Sequence, residues 1–480
     1  MRPYLLDRIP MGRLIAICCL PFLFCALFNL GFFASDEYWT GITRYIPAQT
    51  STLAHLIGPD DVKSPSQLLP FHAMAQLALN LGLERPFAQY HFMLSVLGLF
   101  STLCLFLAFY CWPLGERQRK TGIALLGFHF GSAIAFTRPM FEALSAPSVA
   151  AAAVCAVCYD QRPKFKFLFW GAIFSTVAFL LRPQTGVIAL TFVVMPVLKR
   201  DWRQLLQLCG VGVACLIVSG LIDQSLMGEF HGSLRRVLTY NVEHGSDYGS
   251  QPFYFFFPLI FILGLGFWTA KSYFSQDVIN QVKQQRALLI MLGLFIGMHT
   301  LFANKFERFL IPVFPLILFL MIPAIEELLT NPPAKFRRRS LLLVNGLFWF
   351  GAVFFEPQRP LMQLVRFANA QKDLASFTSI DQAITWYPSV FQDRPVGLKE
   401  VASTMKEINL GCLETLVARQ PVAEKIRAQN PQVQLLQEIQ PGPIDWLAFH
   451  LNPSHNERRA PLEVLGCQDG LHGGIIQVRL

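Results

Sequence analysis

Leu14–Phe33 reads LIAICCLPFLFCALFNLGFF, and Ala34-Ser35-Asp36-Glu37-Tyr38-Trp39 follows at once. The first stretch is apolar for long enough to cross the hydrocarbon core of a bilayer. The second sets two adjacent carboxylates where such a helix reaches the interface. Water can reach an acidic pair there at little cost, so position alone gives it no role. The rest of the chain does.

The chain has 480 residues, of which 53% are hydrophobic and 15% charged, with 44 Phe. Soluble domains carry about 25% charged residues, so this composition is that of a membrane protein. The net charge of +9 does not imply nucleic acid, because most Lys and Arg lie in short loops between apolar runs. The N-terminus has the basic start and apolar stretch of a signal peptide. No small-residue cleavage site follows, so it reads as an uncleaved first span.

Further apolar runs fall at 92–113, 121–137, 139–158, 167–181, 184–198, 206–223, 253–270, 287–302, 309–327 and 341–355, giving about eleven transmembrane helices. Residues 68–83 read as a helix lying in the interface, inside a first external loop of 34–91. Arg2, Arg8 and Arg13 place the N-terminus in the cytoplasm. Alternation then makes 114–120, 159–166, 199–205, 271–286 and 328–340 cytoplasmic. Each of those loops carries at least three basic residues. The expectation is an all-α polytopic domain over 1–355 and a small extracytoplasmic α+β domain over 356–480. In the latter, Val401–Leu416 reads as an amphipathic helix, and Val433–Leu436 and Ile475–Val478 as strands. Cys412 and Cys467 stand apart from the membrane cysteines and could pair in an oxidising compartment.

The same alternation brings five polar segments to the outer face. They are the 35–39 segment with Lys63-Ser64, Thr137-Arg138-Pro139 with Glu142, Leu181-Arg182-Pro183-Gln184, Asn241 through Pro252, and Asn304-Lys305-Phe306-Glu307-Arg308-Phe309. Basic residues in tight outer loops run against the positive-inside tendency. One alone reads as a snorkelling anchor. Arg138, Arg182, Lys305 and Arg308 together read as the grip on a shared anion. Guanidinium groups hold phosphate oxygens bidentately and lysine adds a point charge, so a lipid phosphate suits this setting. Asp36 or Glu37 could then act as general base toward an acceptor hydroxyl. Glu142 and Glu307 read as structural partners of the arginines.

These motifs resemble the GT-C glycosyltransferases, specifically the lipid-phosphate-mannose-dependent α-mannosyltransferases of the GPI-anchor and N-glycan pathways. Asp36-Glu37 is similar to the acidic half of that group's His-Pro-Asp-Glu motif, without its His and Pro. Val62-Lys63-Ser64 with Leu69-Pro70 is similar to its Arg-Ser and Tyr-Pro stretch. Tyr248-Gly249-Ser250-Gln251-Pro252-Phe253 is similar to its Tyr-Gly-Thr-His-Pro-Trp segment, with Gln251 at the His. Asn304–Phe309 resembles its His-Lys-Glu-x-Arg-Phe motif, with Lys305, Arg308 and Phe309 matching.

The resemblance implies an inverting transfer of a sugar, mannose first, from a polyprenyl- or dolichyl-phosphate donor to a glycan or glycolipid hydroxyl. It implies Asp36 as base, with Glu37 orienting the acceptor or holding an Arg. Lys305, Arg308, Arg182 and Arg138 would take the donor phosphate. Tyr248, Gln251, Lys63 and Glu307 would lie along the sugar and acceptor. The scheme needs no metal and no cofactor. The His departures point to a bacterial inner-membrane protein with a periplasmic active site, the alternative being an ER membrane with a lumenal one. The rival readings are a transporter or flippase, which calls for mid-span charges and repeated broken helices, another lipid-phosphate transferase, and a non-catalytic scaffold.

Overall fold

The structure is a computed structural model. It describes residues 5–32, 37, 63–244, 250–381, 383–384, 387–401, 408–411, 415–453, 456–467 and 475–478. Asp36, Tyr248 and Cys412 lie outside that set. Contacts divide the chain into two units. One comprises Met1–Leu27, Ala48–Asn80 and Phe92–Val353; the other comprises Phe28–Pro47, Leu81–His91 and Phe354–Leu480.

The helices run in order as α1 (Met11–Phe28), α2 (Pro65–Asn80), α3 (Pro86–Cys111), α4 (Glu116–Phe128), α5 (Ser132–Thr137), α6 (Phe141–Gln161), α7 (Phe165–Leu181), α8 (Leu190–Leu198), α9 (Trp202–Met227) and α10 (Gly232–Glu243). After them come α11 (Phe256–Leu263), α12 (Gly266–Thr269), α13 (Gln276–Lys283), α14 (Arg286–Leu301), α15 (Phe314–Thr330), α16 (Lys335–Phe354), α17 (Arg359–Ala370), α18 (Gln420–Gln429) and α19 (Pro443–Leu451). The expected apolar runs all fall on helices. Among the described residues, six helices are long and apolar enough to cross a membrane, or seven if one bent pair counts as a span. Three further runs are shorter apolar helices, Phe165–Leu181, Pro183–Leu198 and Arg286–Leu301.

Two runs are broken, which composition does not reveal. The 121–137 run divides into α4 and α5. The 253–270 run bends by 67° between Leu263 and Gly266, where Leu265 takes a left-handed φ of 50°. A break inside a bilayer is tolerated only when its freed backbone groups find partners. Here one break supplies the other. His129 sits between α4 and α5, and its Nε2 lies 2.8 Å from the Leu263 carbonyl. Its Nδ1 accepts from the Gly131 N–H at 3.1 Å. A carbonyl can only accept, so Nε2 carries the proton.

The loops sort to two ends. At one, Lys199 and Arg286 both pair with Asp160, Lys120 Nζ donates to the Asp7 carbonyl, and Arg117 lies 3.6 Å from Glu326. These are the N-terminal segment and the loops expected to be cytoplasmic, tied directly to one another. Of the segments expected on the outer face, those holding Lys63, Glu142, Arg182, Gln251 and Arg308 meet one another.

In the second unit, the sheet order is β2-β1-β4-β6-β5, with β1 (Ser376–Ile380), β2 (Gly397–Val401), β4 (Thr415–Arg419), β5 (Val433–Ile439) and β6 (Leu462–Cys467). β1 pairs parallel with β2 and β4, and β6 pairs antiparallel with β4 and β5. Ile380, Leu416, Ala418 and Leu465 pack with Ala423 and Ile426 of α18. The strands expected at Val433–Leu436 and Ile475–Val478 are present. The helix expected over Val401–Leu416 is not found among the described residues of that range. Val401 closes β2, Ile408–Gly411 form β3 paired antiparallel with β7 (Ile475–Val478), and Thr415 opens β4. Pairing on both edges of β4 outweighs a helical spacing of apolar residues, since propensity yields to tertiary context. Cys467 is disulfide-bonded, and among the described residues nine other cysteines form no disulfide.

Candidate active site

The site in the first unit is made of helix ends. Glu142 stands in the first turn of α6, where a carboxylate meets the positive end of the helix dipole. It is 2% exposed. Arg182 ends α7 and leads into a 3-10 helix at Pro183–Ala189. Its Nη2 lies 2.9 Å from Glu142 Oε1. Arg308 stands at the start of a second 3-10 helix, Glu307–Val313, with its Nε 3.8 Å from the same oxygen. Both guanidinium groups also lie over the Phe309 ring, at 5.5 and 5.8 Å, and Arg308 lies over Phe306 at 4.9 Å. A buried carboxylate needs such partners, because removing one leaves an uncompensated charge. Proline after Arg182 cannot continue α7 in register, so the chain turns there with the guanidinium inward.

The surrounding segments lock onto this cluster. Lys63 Nζ lies 5.6 Å over Phe141, the residue before Glu142. At the start of α2, Ser66 Oγ and Gln67 Nε2 donate to the carbonyls of Leu180 and Leu181, which satisfies acceptors left open at the end of α7. The Gln251 N–H donates to the Ala303 carbonyl, and Lys305 Nζ donates to the carbonyls of Gln251 and Phe302. The two segments compared above with Tyr-Gly-Thr-His-Pro-Trp and His-Lys-Glu-x-Arg-Phe are therefore joined through their backbones. Lys305 is buried and has no carboxylate partner among the described residues. The Gln251 side chain is exposed, as is Glu307. Of the two carboxylates expected to hold the arginines, Glu142 does so. Glu307 has no ion-pair partner among the described residues. Arg138 is buried at the end of α5, four residues before Glu142.

Beside the cluster lies an apolar cavity of about 860 Å³. Phe309 lines it, together with Pro183, Gln184, His299 and Asn304, and its walls are residues such as Phe179, Val187, Leu234 and Met298. Phe309, over whose ring both guanidinium groups lie, thus links the cluster to an apolar space of the size used for ligands. His299 is buried there, with Nδ1 on the Phe295 carbonyl and Nε2 unpartnered among the described residues. Among the described residues, no group of three or more His, Cys, Asp or Glu could hold a metal ion.

Glu37 belongs to the second unit, with Tyr90 and Phe391. It is fully buried. The Tyr90 hydroxyl lies 3.2 Å from Glu37 Oε1 and 3.0 Å from the Gly31 carbonyl. Phe391, from the C-terminal region, packs on Tyr90 and stacks on Phe87, each at 5.0 Å. Sequence reading missed Tyr90, Gln67 and Phe391. Tyr90 looks like an ordinary interfacial aromatic at the head of a span, and the other two carry no local signal.

Residues 60–378 match the model of the Alg9-like mannosyltransferase family, over more than half of the chain. The chain belongs to that family. The Alg9-like match makes it a glycosyltransferase of the GT-C superfamily and an integral membrane protein. The fold is similar to that of ArnT from Cupriavidus metallidurans bound to undecaprenyl phosphate, with TM-score 0.56 and 12% identity, covering 96% of this chain and 99% of that one. Against apo ArnT the TM-score is 0.50, the identity 11%, and the coverage 94% and 97%. At these identities the likeness to ArnT is one of fold. No curated protein matches.

Proposed function

We propose that this Alg9-like chain transfers mannose from a polyprenyl- or dolichyl-phosphate donor to a hydroxyl of a glycan or glycolipid, with inversion, at the outer face of its membrane. The observation that carries the reading is the pairing of Arg182 and Arg308 on one carboxylate and over Phe309, a ring that also lines the 860 Å³ apolar cavity. A prenyl chain needs the apolar space and its phosphate needs the cations. A relative of the same fold was crystallised with undecaprenyl phosphate, which supports the donor class. The family's name supports mannose.

In this scheme the acceptor oxygen attacks the anomeric carbon and its proton passes to the Asp36 carboxylate. The bond from the anomeric carbon to the phosphate oxygen breaks, and the prenyl phosphate leaves. Negative charge grows on that oxygen in the transition state, so Lys305, Arg308, Arg182 and Arg138 act where fixed cations lower the barrier most. Glu142 holds two of them in place. Glu37 orients the acceptor, and Tyr248, Gln251, Lys63 and Glu307 line the sugar and acceptor. The domains are assigned as 1–355 for catalysis and 356–480 for the extracytoplasmic module, in a bacterial inner membrane with the site toward the periplasm. A flippase of lipid-linked substrates is the second reading, favoured by the same cavity.

The test is transfer from radiolabelled polyprenyl-phosphate-mannose in membranes carrying wild type, Asp36→Asn or Lys305→Ala at matched protein level. Wild-type transfer is expected to fall about 10²–10⁴-fold in Asp36→Asn. Equal transfer by all three proteins removes Asp36 and Lys305 from the mechanism. Movement of intact lipid-linked sugar across vesicles, without transfer, selects the flippase.

A further inference from the structure

The helix α19 (Pro443–Leu451) of the C-terminal region is built to hold an apolar face outward. Its one buried acid, Asp445, accepts from the Arg359 N–H at 3.0 Å and lies 3.4 Å from Arg459 Nε. Gly442, just before the helix, lies so close to Phe355 that a Cβ there would stand 2.6 Å from the ring. These contacts fix the helix by one face. On the other face, Ile444, Trp446, Leu447 and Leu451 are 38%, 50%, 49% and 76% exposed. Ile444, Leu447 and Leu451 recur at i, i+3 and i+7, which is one stripe of a helix.

The place of this stripe says what covers it. Phe355 is the residue after the end of α16, the last membrane helix, and Arg359 opens α17 just beyond. Phe28 and Phe354, the final residues of α1 and α16, touch at 5.5 Å, so two spans leave the membrane together there. The anchoring contacts of α19 are therefore made to the first residues past the membrane exit. A tryptophan beside leucines at that depth belongs to the bilayer interface. Arg359 is exposed, with its Cδ 3.6 Å from where a Gly442 Cβ would stand, and can meet lipid phosphates.

We propose that α19 is a membrane-surface anchor, lying in the bilayer interface with Trp446, Leu447 and Leu451 among the lipids, and that it holds the C-terminal domain down on the membrane. The inference is independent of the sugar-transfer reading.

The test uses the full-length protein in nanodiscs of phosphatidylethanolamine and phosphatidylglycerol. Cys111 and Cys209, the exposed free thiols, are first replaced by alanine. A nitroxide is then attached at Leu447→Cys, at Leu451→Cys or, as an exposed control on α18, at Lys425→Cys. Collisions with oxygen, which partitions into lipid, are compared with collisions with a water-soluble nickel chelate. At 447 and 451 the oxygen-to-nickel ratio is expected to rise severalfold above that at 425. A ratio equal to the control means that the stripe faces water and overturns the proposal. Low collision with both reagents means that protein covers the stripe, and overturns it too. Two label sites keep the test decisive if one variant misfolds.

Discussion

The helix α6 carries a carboxylate near each end, and each one holds two cations. At the first turn Glu142 takes Arg182 and Arg308; in the last turn Asp160 takes Lys199 at 3.4 Å and Arg286 at 2.6 Å. The device is the same, but the surroundings differ. Asp160 stands at the negative end of the helix dipole, where an acid is disfavoured and needs cations for itself. Its partners lie in loops where basic residues are expected anyway, and the Arg286 side chain is 54% exposed. Glu142 already sits at the favourable end. Its partners are 9% and 16% exposed and lie over Phe309, which lines a cavity. At one end the cations serve the acid; at the other, the acid serves the cations. That contrast separates a staple from a site more sharply than the charges do.

Activity gives the largest contrast. Arg182→Ala or Arg308→Ala is expected to lower initial transfer rates about 10²–10³-fold, as for loss of a transition-state charge partner. Arg286→Ala should stay within about twofold, as for a surface change. Similar losses at both ends would break the distinction. Stability comes next. Glu142→Ala strands two cations in a dry setting and is expected to cost about 3–5 kcal/mol. Asp160→Ala leaves Arg286 free to find water and should cost about 1 kcal/mol or less. Thermal aggregation in detergent, followed by fluorescence-detected gel filtration, reads both, and the prediction fails if their order reverses. The smallest effect concerns Glu37, a buried carboxylate of the second unit. Tyr90→Phe removes one donor to it, worth about 1 kcal/mol. That should appear as a roughly fivefold fall in kcat with KM unmoved; a change in KM alone would assign Tyr90 to binding.

Much of this was legible in the residues. Apolar runs located the helices because burial in lipid is set by composition. The basic loops sorted the two ends because charge is costly in the bilayer. Arg182 and Arg308 announced themselves by appearing where the positive-inside tendency discourages them, and Glu142 was read as their partner. What escaped was set by contacts between distant residues. The breaks after Phe128 and Leu263 depend on a bond joining residues 134 apart. The strands around Ile408 and Thr415 depend on partners in β7 and β6. Asp160 looked like any acid in a polar loop, since nothing local marks its hold on Arg286, 126 residues away.

That last separation also orders events in time. The Asp160 carbonyl meets Lys199, 39 residues on, and its carboxylate meets Arg286, 126 residues on. At synthesis rates of about 5–20 residues per second, the second cation emerges several seconds to tens of seconds after the acid. Between the emergence of Lys199 and that of Arg286, Lys199 is the one of the two cations available to Asp160. The basic end of the molecule therefore closes in two steps, and a ribosome paused between them would leave a half-latched helix for the insertion machinery to guard.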